Sequence, residues 1–180
     1  MNDLNNTTGV IIFIVFCVAF VYIKHLLNKG VHAAATVVNQ KVLFKNEYND
    51  ERQMISESLI FLTTASIQDI MSQIKVLVNP TSKLNALKFD FYELERTDNI
   101  LIYSYQNSSF EHFVVILRFE IQDNRTHCTF DFLRWSEQEG MLLSGDYMKL
   151  IRKRVQQAIE GLDPKVEISI VATQPQVVQE

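Results

Sequence analysis

Residues 9–23 (GVIIFIVFCVAFVYI) carry no charge and no side-chain amide. A helix rises about 1.5 Å per residue, and a hydrocarbon core about 30 Å thick needs about 17–25 residues, so this run alone is short. Counted from Thr7 to Leu27, with the Lys24 stem along apolar surface and its ammonium among headgroups, the stretch reaches about 21 residues and can span. A cleaved signal peptide fits less well, because the first eight residues hold Asp3 and neither Lys nor Arg. The small-residue stretch Ala33-Ala34-Ala35 lies beyond Lys24 and Lys29, too far from the apolar run for such cleavage. A buried core helix fits poorly too, since every face of this one is apolar. The sequence thus predicts a transmembrane anchor.

The direction of that anchor follows from its flanks, since Lys and Arg stay cytoplasmic. Lys24, Lys29, Lys41 and Lys45 follow the run without an intervening acid, while no Lys or Arg precedes it. The N-terminus is expected outside and the main domain in the cytoplasm, with these four lysines at the membrane surface. The organisation expected is a tail and anchor over 1–28, a juxtamembrane connector over 29–52, a folded domain over 53–164, and a tail over 165–180 that can add an edge strand.

The remainder is the size of one ordinary domain, and 47% of the whole chain is hydrophobic, enough for a core. Net charge is −4, which gives no support to nucleic-acid binding. Cys17 and Cys128 stand in different predicted elements, so neither a disulfide nor a thiolate metal cluster is expected.

Along the domain, 46–52 (NEYNDER) reads as a loop and 54–63 as a strand. Ser66 caps a helix with Asp69 in its first turn, and Ile67, Ile70, Met71, Ile74, Leu77 and Val78 share one face. Asn79-Pro80 ends it. Four strand-like runs follow. The first alternates through Leu87, Phe89 and Phe91, and the second covers 100–105. The third alternates through Phe113, Val115, Leu117, Phe119 and Ile121. Asp123-Asn124 suits a tight turn, which would set Phe119 opposite Cys128, Leu117 opposite Phe130 and Val115 opposite Phe132. The same register pairs Glu120 with His127 and Ile116 with Asp131 on the other face. A last helix starts at Ser144 or Asp146, turns Tyr147, Ile151, Val155, Ala158 and Leu162 inward, and ends near Gly161 and Pro164. The fold class expected is α+β: a single transmembrane helix, then an antiparallel sheet of about five strands on one short helix and a long C-terminal helix.

The opening LIFLTTASIQDIMSQI (59–74), the hairpins and the long final helix together resemble the START/Bet v1-like helix-grip superfamily (SRPBCC). The resemblance covers roughly 53–163 and rests on element order. It implies a curved antiparallel sheet gripping the C-terminal helix, with an apolar ligand between them. The chain departs from the family in having about five strands instead of six or seven, and one helix between the first two strands. No functional residue carries over.

No GxSxG, P-loop, dinucleotide fingerprint, HExxH or CxxC occurs, and five glycines leave little for a phosphate-cradling loop. No cofactor and no metal are expected; His25 and His32 have no further ligands nearby. The candidates for a ligand site are Arg118, Asp131, His127 and Glu120, on the less apolar sheet face. The function expected is a membrane-anchored, non-enzymatic binding module for a protein partner or an apolar ligand. The alternative is a small helix-grip enzyme acting on a hydrophobic substrate.

Overall fold

A computed structural model describes residues 45–138 and 140–173. Residues 46–138 with 142–173 belong to one compact unit. The expected span 7–27 and Lys24, Lys29 and Lys41 lie outside the described residues, as does Cys17. Of Lys45 only its place at the start of a helix is described. Among the described residues no helix is long and apolar enough to cross a membrane.

The elements run α1 (Lys45–Ile55), β1 (Glu57–Thr63), α2 (Ile67–Val78), β2 (Asp90–Arg96), β3 (Ile100–Gln106), β4 (Glu111–Gln122) and β5 (Arg125–Trp135). Two very short strands, β6 (Glu137–Gln138) and β7 (Met141–Leu142), precede α3 (Gly145–Leu162) and β8 (Glu167–Ala172). The fold is α+β, and the main sheet has six antiparallel strands in the order β2-β3-β4-β5-β1-β8.

Three expectations need correction. The polar stretch after Lys45 is helix α1, not a loop, and it extends through Met54 and Ile55, so the first strand begins at Glu57. Its buried residues, Glu51, Met54 and Ile55, fall at the i, i+3, i+4 spacing of one helical face. The sheet has six strands and not about five, because β8 pairs with β1 from Glu57↔Ala172 to Leu62↔Glu167. The second strand starts at Asp90 and not at Leu87, so it keeps Phe91 buried and leaves Leu87 94% exposed outside it.

Local chemistry accounts for the ends of the elements. Ser66 Oγ accepts the Asp69 N–H at 3.2 Å and caps α2. Asn79, with φ 49°, closes α2 in the left-handed conformation that Asn tolerates. Asp123 and Asn124 have φ 50° and 61°, the pair of positive values a tight hairpin turn requires. That turn fixes the β4–β5 register as Phe119↔Cys128, Leu117↔Phe130 and Val115↔Phe132. Asp163 gathers the end of α3 onto the β1–α2 junction. Its Oδ2 accepts Thr63 Oγ1 at 2.9 Å, the Thr64 N–H at 2.9 Å and Thr64 Oγ1 at 3.0 Å.

One sheet face packs on α2 and α3. Phe61, Leu117, Phe119 and Phe130 meet Ile70 and Ile74 of α2 and Met148, Ile151 and Val155 of α3 in a single buried cluster. The inward stripe of α3 is Met148, Ile151, Val155, Ala158 and Ile159, whereas Tyr147 and Leu162 lie at its exposed margins. Strand alternation therefore points Ser58, Ile116, Arg118 and Asp131 at the opposite face of the sheet.

Candidate functional site

A pocket of about 210 Å³ opens on that opposite face. Its floor is Ile116 and Arg118 of β4 with Asp131, Phe132 and Leu133 of β5. Its rim is Ile55 at the end of α1, Glu57 and Ser58 of β1, Trp135, and Thr173 beyond β8. A bulge at Val114/Val115 shifts the β4–β5 register, so Val115 faces Phe132 while Val114 faces Arg134. The residue at the bulge, Leu133, and its neighbour Phe132 both reach the pocket.

The polar groups form three sets. Arg118 Nη1 donates to Asp131 Oδ2 at 2.8 Å. Asp131 Oδ1 accepts from Ser58 Oγ, which also shares a hydrogen bond with Thr173 Oγ1. Glu57 accepts from Gln53 Nε2 at 2.7 Å and from Arg152 Nη2 at 3.3 Å. At the wall, Trp135 Nε1 donates to Glu137 Oε1 at 2.9 Å, and Arg52 clamps the same carboxylate with two bonds of 2.8 and 2.6 Å. Burial opposes the charge on Glu137, but the bonds from Arg52 and Trp135 prevail and hold its carboxyl below the usual range.

Of the four residues singled out in the sequence, Arg118 and Asp131 meet in this pocket. His127 and Glu120 are register partners farther along the hairpin and do not line it. Ser58 and Thr173 were missed, because no local pattern places residues so distant in sequence beside Asp131. The row Ile116–Asp131–Ser58 appears only once β1 is paired with β5.

A second cluster was also missed. His112 Nδ1 lies within hydrogen-bonding reach of Ser144 Oγ, which makes no capping bond to α3. Phe89 packs on the imidazole with ring centroids 3.9 Å apart, and Tyr105 stacks on Tyr147 at 4.4 Å. Burial lowers the His112 pKa; burial, then Tyr147, raises that of Tyr105. Cys128 is buried and its thiol is pushed well above the usual range, first by burial and then by Asp131, so it is no nucleophile. Among the described residues no group of three or more His, Cys, Asp or Glu is arranged to hold a metal ion.

No family model matches the chain, and the comparison with curated proteins finds no match.

Proposed function

We propose that the chain is a membrane-tethered binding module that presents its α+β domain at the cytoplasmic face and takes a small organic anion in the Arg118 pocket. The apolar run 9–23 and its one-sided lysines support the tether and its direction. The helix-grip resemblance supports a ligand-carrying role, with the pocket on the outer sheet face instead of beneath the C-terminal helix.

One observation carries the ligand class. The carboxylate oxygens of Asp131 and Glu57 each accept a bond, and the Ser58 and Thr173 hydroxyls are engaged. Arg118 uses a single N–H, through Nη1, and its side chain is 49% exposed. A guanidinium has five N–H donors, so the unmet capacity of the pocket is donor capacity. An acceptor-bearing, negatively charged group answers it, and Ile55, Ile116, Leu133 and Trp135 offer apolar walls to the rest of the molecule. The pocket, at about 210 Å³, is smaller than the roughly 300–1,000 Å³ of drug-sized sites, so it can enclose a compact ring or short acid but not the whole of a long lipid chain.

Calorimetric titration of benzoate into the full chain in detergent tests this reading. Saturable binding that Arg118→Gln abolishes supports it; equal heats from both proteins reject it.

A second reading, a small enzyme on the same scaffold, draws on the His112–Ser144 contact beside an aromatic wall. A hydroxyl bonded to a neutral imidazole is the starting arrangement of acyl transfer. Fluorophosphonate labelling of Ser144 that His112→Gln prevents would favour it, and an unlabelled Ser144 would dismiss it.

A further inference from the structure

Four large apolar side chains stand out at one end of the sheet. Leu84 is 53% exposed, Leu87 94%, Phe110 48% and Tyr147 45%. The loop that carries Leu84 and Leu87 is held in place by its polar groups. Tyr92 Oη donates to the Lys83 carbonyl at 2.7 Å, Asn85 Oδ1 accepts the Leu87 N–H at 2.9 Å, and the Ser108 N–H donates to the Asn85 carbonyl at 3.2 Å. Ring contacts continue the patch from Phe110 to His112 at 5.4 Å and from His112 to Phe89 at 3.9 Å. The usual arrangement of a surface loop is inverted here: the backbone bonds face the domain and the leucines face out. An exposed patch of this kind marks a contact surface.

The occupant follows from three facts. First, exposed Lys83 and Lys88 flank the leucines. Lys88 contacts Asp90 at 3.3 Å, and Lys83 has no acidic partner among the described residues. Lysine stems beside apolar tips suit a surface of apolar chains under phosphate headgroups. Second, the acids at this end are largely spoken for. Glu111 is bound by Arg134 at 2.6 Å and Glu137 by Arg52, while Asp146 and, on α1, Asp50 are exposed and in no ion pair among the described residues. Third, the last turn of α1 packs near this same end. Phe113, three residues after Phe110, faces Trp135; Trp135 bonds Glu137; and Glu137 bonds Arg52 of α1.

We infer that the Leu84–Leu87 loop, with Phe110 and Tyr147, docks into the interface of the lipid bilayer to which the chain is tethered. This rests on the tether proposed above and gives the domain an orientation. The loop end faces the membrane, and the Asp123-Asn124 hairpin tip points away, about 36 Å along β4 at about 3.3 Å per residue.

Nitroxide labels at Leu87→Cys and Ile121→Cys, each in a Cys17→Ser full chain reconstituted in phosphatidylcholine and phosphatidylcholine–phosphatidylserine vesicles, test it. Both sites are exposed, at 94% and 71%, so labelling leaves the core intact. Collision with oxygen should exceed collision with a water-soluble nickel chelate at 87, and the reverse should hold at 121, with the contrast larger in the anionic vesicles. Water-like readings at both sites in a chain that resists alkaline extraction would overturn the docking and leave the tether standing. A chain that alkali extracts would remove the tether, and water-like readings from it would remove the docking too.

Discussion

Arg118 Nη1 meets Asp131 Oδ2 at 2.8 Å diagonally across the β4–β5 hairpin, and Ser58 of β1 meets the other oxygen of the same carboxylate. This pair links the two strands that form the pocket floor to the strand at its rim. It also sits one residue away, in β5, from Phe130, which is 1% exposed on the other face of the sheet.

That alternation makes a sharp contrast in stability. Arg118 is half exposed, so Asp131→Asn should cost about 1 kcal/mol or less, as solvent-screened pairs do. Phe130→Ala empties a filled core position and should cost about 3–5 kcal/mol. Urea denaturation of the two variants measures both, and near-equal losses would contradict the assignment of faces.

A second test lies at the start of α3. A Cβ on Gly145 would stand 2.2 Å from Glu51 Oε1, whose partner oxygen accepts the Leu142 N–H at 3.3 Å. Glu51 is 4% exposed and has little room to retreat. Gly145→Ala should therefore destabilise by about 1–3 kcal/mol, the usual cost of overpacking. In a Glu51→Ala background the same change should cost less, and the double-mutant cycle reads that difference.

The acid limb of stability should report Asp163. Hydrogen bonds from the Thr64 N–H, the Thr63 hydroxyl, the Lys165 N–H and the Thr64 hydroxyl outweigh burial and hold its carboxyl well below the usual range. The folded state binds this proton more weakly than the unfolded state does. Its contribution is whole above the unfolded value near 3.9 and disappears as pH falls toward the folded value. Asp163→Asn should flatten the fall in melting temperature below about pH 4, close to that unfolded value. An unchanged acid slope would count against it.

His112 adds a second, milder dependence of the same sign. Burial lowers its folded pKa, so the stability it contributes is present above the unfolded value near 6.5 and lost as pH drops beneath it. His112→Gln should remove that slope between about pH 5 and 6.5, below the unfolded imidazole value. Proton-coupled chemical shifts of the imidazole would give the direction independently.

The elements most legible in the sequence were those whose signals are local. Ser66 with Asp69 announced α2, and Asp123-Asn124 set the β4–β5 register that pairs Phe119 with Cys128. Helix α1 escaped because one of the three buried positions among its described side chains is a carboxylate, Glu51, so its apolar stripe is too sparse to see. Strand β8 carries a visible Ile168–Ile170 alternation, yet all its residues are exposed, and nothing local says that β1 receives it. Leu87 misled in the other direction, since a short alternation reads the same in a strand and in a loop that turns its leucines outward. The pocket was half legible. Arg118 and Asp131 belong to one hairpin, but Ser58 and Thr173 reach it only through the pairing of β1 with β5 and β8.

The tether is the part of this reading on which the orientation of the domain rests. Trypsin treatment of intact cells and of inverted membrane vesicles expressing the full chain, after alkaline extraction has shown retention in the pellet, tests it most directly. A chain tethered with its domain in the cytoplasm should stay in the pellet, survive trypsin in intact cells and be cut, at the domain's exposed lysines, in inverted vesicles. Release of the chain by alkali, or cleavage from the outside of intact cells, would contradict it.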